Sequence, residues 1–110
     1  MTEKSRKYLS DIIIAIEFIE EFISGITEFS VYQADKKTKS AVERQLIIVG
    51  EAVNNFRKES GKDINSSSQI VNFRNRIVHA YDSIDDAIVW VIIVKHLAKL
   101  KKEVENLLNL

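Results

Sequence analysis

The run Arg74-Asn75-Arg76-Ile77-Val78-His79-Ala80-Tyr81 gathers four side chains able to handle a phosphodiester: Arg74, Asn75, His79 and Tyr81. Successive side chains on an α-helix rotate by about 100°. Asn75 and His79, four apart, therefore share a face, and Tyr81, seven after Arg74, returns close to its azimuth. One strip of surface can carry all four. An arginine offers a fixed fork of donors that matches a phosphate, and a histidine, with an ordinary pKa of about 6.5, is the side chain best suited to moving a proton near neutral pH. Each residue also has a structural alternative. Arg74 can pair with Glu43 or Glu51, His79 can cap a helix end, and Tyr81 can pack its ring and hydrogen-bond through its hydroxyl. Arg76, about 200° from Arg74 by the same geometry, reads as a solvated or dimer-facing charge, and His96, beside Lys95, as a surface residue away from the motif.

The elements that must position this strip are helices. Leu9, Ile12, Ile16, Ile19 and Ile23 recur at the spacing of an amphipathic helix, and Gly25 is placed to end it. The stretch to about Lys37 reads as a connection tucked onto the bundle through Ile26, Phe29 and Val31. Val42, Leu46, Val49, Val53 and Phe56 trace a second helix that Gly61 ends. Its mid-helix Gly50 costs about 1 kcal/mol relative to alanine, which implies close approach by another helix. Ser66-x-x-Gln69 offers a capping box for a third, short helix with Ile70, Phe73 and Ile77 turned inward. Ser83-x-x-Asp86 offers another, so the chain is expected to turn near Tyr81 and Asp82 into a fourth helix.

Composition bounds the same answer. The chain has 110 residues, no proline, three glycines and no cysteine, which reads as one domain over residues 1–110, rich in long helices and without disulfides or thiolate chemistry. Sixteen Lys+Arg balance sixteen Asp+Glu, so nucleic-acid binding must rest on a local patch and not on a bulk positive field. Lys36, Lys37, Lys39, Lys99, Lys101 and Lys102 read as solvated faces that become RNA contacts only if the fold brings them to the cleft. The N-terminal segment and the acidic breaks Glu17, Glu20 and Glu21 fit neither a signal peptide nor a membrane span. The expectation is a cytoplasmic protein with no membrane association.

From Ile84 to Val94 only Asp85 and Asp86 are polar. A helix apolar on every side must be covered on every side, which points to a second chain packed on this segment unless the third helix and the long connection cover it. Other chemistries fail on spacing: the residues three before His79 and His96 are Arg76 and Ile93, not the glutamates of a di-iron bundle. No phosphate-binding glycine loop, zinc spacing or nucleophile elbow occurs, and no cofactor is expected.

The pattern Arg74-x-x-x-x-His79-x-Tyr81, with the polar Asn75 directly after the arginine, resembles the signature of the HepT-like toxins of the HEPN ribonuclease superfamily. Further stretches are similar to the family's: Glu43-Arg44 and Gly50-Glu51-Ala52 in the second helix, Tyr8-Leu9-Ser10-Asp11-Ile12 in the first, and Ile88-Val89-Trp90 after the motif. The resemblance spans nearly the whole chain. It implies an all-α, compact, four-to-five-helix up-and-down bundle, HEPN-like and dimerising, with a higher oligomer left open. It further implies the toxin of a type VII toxin–antitoxin pair, a metal-independent RNA endonuclease in which Arg74 and His79 are catalytic and Asn75 and Tyr81 support them. The implied partner, besides substrate RNA, is an MntA-like nucleotidyltransferase antitoxin that silences the enzyme by AMPylation of Tyr81. The competing reading, from another class, is a noncatalytic helical module that binds and assists a nucleotidyltransferase. A purely structural dimeric bundle would leave the polar strip unexplained.

Overall fold

In the computed structural model the described residues are 1–79 and 84–109, with side chains described to Ile77 and again from Ile84. The first helix, α1 (Glu3–Phe22), opens at Thr2, whose Oγ1 accepts from the backbone N–H of Ser5 at 3.0 Å. It ends before Gly25, which sits at φ 84° in the following turn. A six-residue helix, α2 (Phe29–Ala34), occupies the segment expected to be a connection. The long α3 (Lys36–Ser60) starts at an Asp35 N-cap and stops at Gly61, whose φ of 70° only glycine adopts readily. After a 3-10 turn (Asn65–Ser67) comes α4 (Ser68–His79). Then α5 (Asp86–Val91), a π-turn (Ile92–His96) and α6 (Leu97–Leu108) form one continuous rod. The architecture is all-α with about five helical rods, and among the described residues there is no strand. No helix among them is long and apolar enough to cross a membrane.

The core lies where the apolar stripes meet. Leu9, Ile12, Ile16 and Ile19 of α1 are fully buried against Val42, Leu46, Val49, Val53 and Phe56 of α3, also fully buried, each contributing about 1.5–3 kcal/mol relative to exposure. The start of α1 lies beside the end of α3 through Thr2 and Glu59, and beside the end of α6 through a 3.0 Å hydrogen bond from Arg6 to the Leu108 carbonyl. Both neighbours are thus antiparallel to α1. Ile70, Phe73 and Ile77 close the core from α4 as the periodicity predicts, and Leu97, Leu100 and Val104 close it from α6.

Two expected caps differ. The entry to α4 is not a Ser66–Gln69 box: the backbone N–H groups of Asn65 and Ser66 donate to the Glu103 carboxylate of α6 at 2.8 and 2.9 Å. A carboxylate from another helix binds these amides more strongly than a neutral serine hydroxyl would. Helix α5 is capped by Asp85, which accepts from Ala87 N–H at 2.9 Å; the Ser83 of the expected box, with the turn at Tyr81 and Asp82, lies outside the described residues. Helix α2 is placed by Tyr32, which is fully buried and packs on Trp90 of α5 at 5.4 Å between ring centroids, with Phe29 on the same indole at 6.2 Å. The connection therefore covers one side of the apolar α5, as one of the two sequence alternatives required. Its other side is open: Ile88, Val91 and Val94 remain 37%, 41% and 51% exposed.

Beside Tyr32, Lys39 of α3 pairs with Asp86 of α5 at 3.0 Å, both mostly buried, and ties the two helix starts together. The Tyr32 hydroxyl is buried without a hydrogen-bond partner among the described residues. Burial, then the Glu43 and Asp86 carboxylates, push its pKa far above the ordinary phenol value. Burial and the facing Asp86 likewise hold the half-buried Glu43 carboxyl above its ordinary 4.5, with Lys39 pulling the other way. The folded state thus holds the Glu43 proton more tightly than the unfolded chain. The associated stability is complete below pH 4.5 and is lost as pH rises through the raised folded value. Glu43→Gln is accordingly expected to raise the thermal midpoint at pH 7.5 and to flatten its pH dependence above 4.5. Thermal melts of both proteins across that range check it, and a midpoint lowered at pH 7.5 would contradict it.

Candidate active site

The motif sits on α4, and the position of α4 is set by Gly50. A Cβ built at residue 50 would lie 2.7 Å from the Arg74 Cβ and 3.0 Å from its Cγ, closer than carbon atoms pack. The glycine therefore marks the close helix approach that its mid-helix position predicts, and what approaches is the stem of Arg74. With that stem held against α3, Arg74 is half-buried. Its Nε is buried with no partner among the described residues, while an Nη donates to the Asn75 Oδ1 at 3.3 Å. None of the ion pairs among the described residues joins Arg74 to Glu43 or Glu51. The pairing alternative for Arg74 is not taken there.

Asn75 faces away from α3. Because its Oδ1 accepts from Arg74, its amide nitrogen is the end that presents donors. It lines an open cavity of about 670 Å³ between α4 and the α5–π-turn rod, a size within the usual range of ligand sites. The α4 wall also carries Gln69, Asn72, Phe73 and Arg76. The opposite wall is apolar through Ile88, Val91 and Ile92 and ends in His96.

One sequence expectation is extended at this point and another corrected. Arg76 is exposed, in keeping with a solvated or dimer-facing charge, and also lines the cavity beside Asn75, and His96 is not remote from the motif, since it closes the same cavity. The strip expected from helical azimuths is thus divided: Arg74 lies on the α3 side of α4 and Asn75 on the cavity side, joined by their hydrogen bond. The backbone of α4 runs through His79, one turn after Asn75. The His79 side chain and all of Tyr81 lie outside the described residues. Among the described residues no three metal-ligating side chains converge.

Comparison with known proteins agrees in direction. Residues 12–107 match the family model described as "Ribonuclease HepT-like". A Thermococcus cleftensis protein named "Probable ribonuclease HepT" is 34% identical over 97% of this chain and 98% of its own length. Proteins named "Putative RNase" from Caldanaerobacter subterraneus subsp. tengcongensis and Methanocaldococcus jannaschii are each 32% identical; both matches cover 94% of this chain, and 94% and 87% of those proteins. No solved structure gives a significant match.

The packing of Arg74 on α3 makes a specific demand. A methyl at residue 50 meets the base of the arginine side chain, which cannot swing away, so Gly50→Ala must push α4 off α3. Overpacking costs about 1–3 kcal/mol, against a helix-propensity gain of about 1 kcal/mol. The expected net is a loss of up to about 2 kcal/mol, read in denaturant melts, and a fall in any activity of the site measured where the variant is fully folded. A variant as stable and as active as the parent would show that Arg74 is not held by this contact.

Proposed function

The chain belongs to the HepT-like ribonuclease family, and from that premise we propose that it cuts RNA with the groups carried by α4, as the toxin half of a toxin–antitoxin pair. The observation that carries the reading is the Gly50-braced Arg74, hydrogen-bonded to Asn75 at the edge of a ligand-sized cavity. In the proposed reaction a base removes the proton of a ribose 2′-hydroxyl and O2′ attacks the adjacent phosphorus. The P–O5′ bond then breaks as an acid protonates the departing oxygen. The products are a 2′,3′-cyclic phosphate and a 5′-hydroxyl, and no metal is required. His79 takes one of the two proton transfers. Arg74, with its stem already fixed, stabilises the charge that builds on the phosphorane, and Asn75 donates to a phosphate oxygen or holds the imidazole.

One histidine cannot be acid and base in the same step. The second role falls to His79 of a second copy, across a cleft between two motifs. Support for the second copy comes from Val94, at the end of the apolar strip beyond the cavity lining, which the described residues leave 51% exposed. Tyr81, two residues past His79, is the proposed target of a nucleotidyltransferase antitoxin that transfers AMP to its hydroxyl. A bulky anion beside Arg74 would fill the phosphate site and repel RNA.

Purified protein incubated with cellular RNA in EDTA, beside a His79→Ala variant of equal stability, tests the chemistry. Cleavage should survive chelation, leave cyclic phosphate ends and fall about 10²- to 10⁴-fold without His79. Intact RNA in both samples, with Tyr81 unmodified by mass spectrometry, would overturn the ribonuclease reading in favour of a noncatalytic module that assists a nucleotidyltransferase. The shared cleft is tested by Val94→Glu, which places a charge on the apolar strip. Sedimentation should report a dimer for the parent and a monomer for the variant, with cleavage lost together with the dimer. A monomer that cuts RNA normally would remove the second copy from the mechanism.

A further inference from the structure

The π-turn decides what the cavity contains. Leu97 N–H bonds to the Ile92 carbonyl, five residues back, so the rod carries one residue more than a regular helix would. At about 100° per residue, and measured from Ile88, Ala87 lies near −100°, Val91 near −60° and Ile92 near +40°. On an uninterrupted helix His96 would fall near +80°, outside this face, and Lys95 would face the cavity at about −20°. The extra residue moves His96 back by one position, to about −20°, the middle of the face. Its presence among the lining residues agrees with this shift.

The remaining lining has a consistent chemistry. None of the described residues that line the cavity is acidic, although the chain as a whole is neutral. Gln69, Asn72 and Asn75 put three carboxamides along one face of α4, Arg76 adds a permanent positive charge, and His96 adds a ring that donates or accepts. Phe73, Ile88 and Val91 offer apolar surface. Carboxamides suit the donor and acceptor edges of a base that is not paired, apolar surface suits its face, and cationic donors suit its phosphate. A neutral protein that binds a polyanion needs its positive groups in one place, and this cavity adjoins Asn75 of the motif.

We propose that the cavity is a subsite for one nucleotide of the RNA next to the cleaved bond, and that His96, turned inward by the π-turn, is a substrate-contacting residue of that subsite together with Arg76. This rests on the ribonuclease reading and extends it to a residue outside the motif. The role is binding, so it is separable from the rate.

The test uses the full chain and a short fluorescein-labelled oligoribonucleotide that is 2′-O-methylated throughout, which lacks the attacking hydroxyl and cannot be cut. His96→Ala is expected to weaken its binding about 10- to 150-fold, the scale of one hydrogen bond to a charged group, and His96→Gln, which keeps a donor, to recover part of that. On cleavable RNA, His96→Ala should raise KM more than it lowers kcat, while His79→Ala does the reverse. Unchanged affinity in His96→Ala would overturn the subsite. So would a collapse of kcat at constant KM, which would make His96 a proton-transfer group, or a loss of affinity explained by dissociation into monomers, which would make the cavity a protein interface. Parent protein that binds the methylated probe through His96 but leaves ordinary RNA intact would sink the ribonuclease reading and keep the subsite.

Discussion

The distance between α3 and α4 governs the site, and it is set by one missing methyl group. At Gly50 the two helices approach until the stem of Arg74 occupies the space a Cβ would take. The approach also fixes the roll of α4, because Ile70, Phe73 and Ile77 must enter the core on the same side. Once that roll is set, residue 74 has to lie against α3, while residues 72, 75 and 76 have to face the α5 rod. The arginine gains from this arrangement. With its stem immobilised by packing, only the end of the side chain has freedom left to lose when it meets an anion, which is the physical content of a preorganised donor.

The facing wall is held by different forces. Its upper end is pinned by the Lys39–Asp86 pair and by the Trp90 indole against Tyr32 and Phe29; its lower end is gripped by Leu97, Leu100 and Val104 in the core. The buried positions between them are Val89, Ile92, Ile93 and Leu97, of which Val89, Ile93 and Leu97 are two successive steps of four. On a regular helix each such step drifts by about 40°, so the stripe would leave the core by about 80° within two turns. The π-turn absorbs the drift with one extra residue, and the same residue brings His96 to the cavity. Core packing and cavity composition are therefore two consequences of one backbone irregularity, and neither can change without the other.

Much of this was legible in the residues. The stripes of α1 and α3, the inward face of α4, the stops at Gly25 and Gly61 and the close approach at Gly50 follow from helical periodicity and glycine chemistry, and all are present. What was hidden depends on contacts between distant segments. Helix α2 is too short to show a period, and Tyr32 is buried only because Trp90 arrives from another helix. The Glu103 cap on Asn65 and Ser66 joins residues nearly forty apart. His96, beside Lys95 and seventeen residues past His79 in sequence, reads as a surface residue because nothing local shows that the π-turn brings it to the α4 cavity. Because every residue from Ala87 to Val94 is apolar, no stripe in this segment marks where the helical step changes.

Net neutrality, which by itself opposes RNA binding, is resolved by where the charges lie. Among the described residues the ion pairs use Lys7, Lys39, Arg57 and Lys101, with carboxylates one turn along the same helix, across a turn or on a second helix. Lys101 links α6 to Glu20 of α1, and Lys39 links α3 to Asp86 of α5. None of these pairs draws on Arg74 or Arg76. A zero sum over the chain therefore coexists with an uneven distribution: some carboxylates are matched to lysines and an arginine of the scaffold, and Arg76 lines a cavity whose described residues include no carboxylate. The field a polyanion meets at close range is set by those near groups, since charges beyond about 8–10 Å on the surface are screened at physiological salt. Selection of the phosphate backbone can thus rest on Arg74, held by packing, with Arg76 and His96 at the adjoining cavity, without a basic excess over the whole chain.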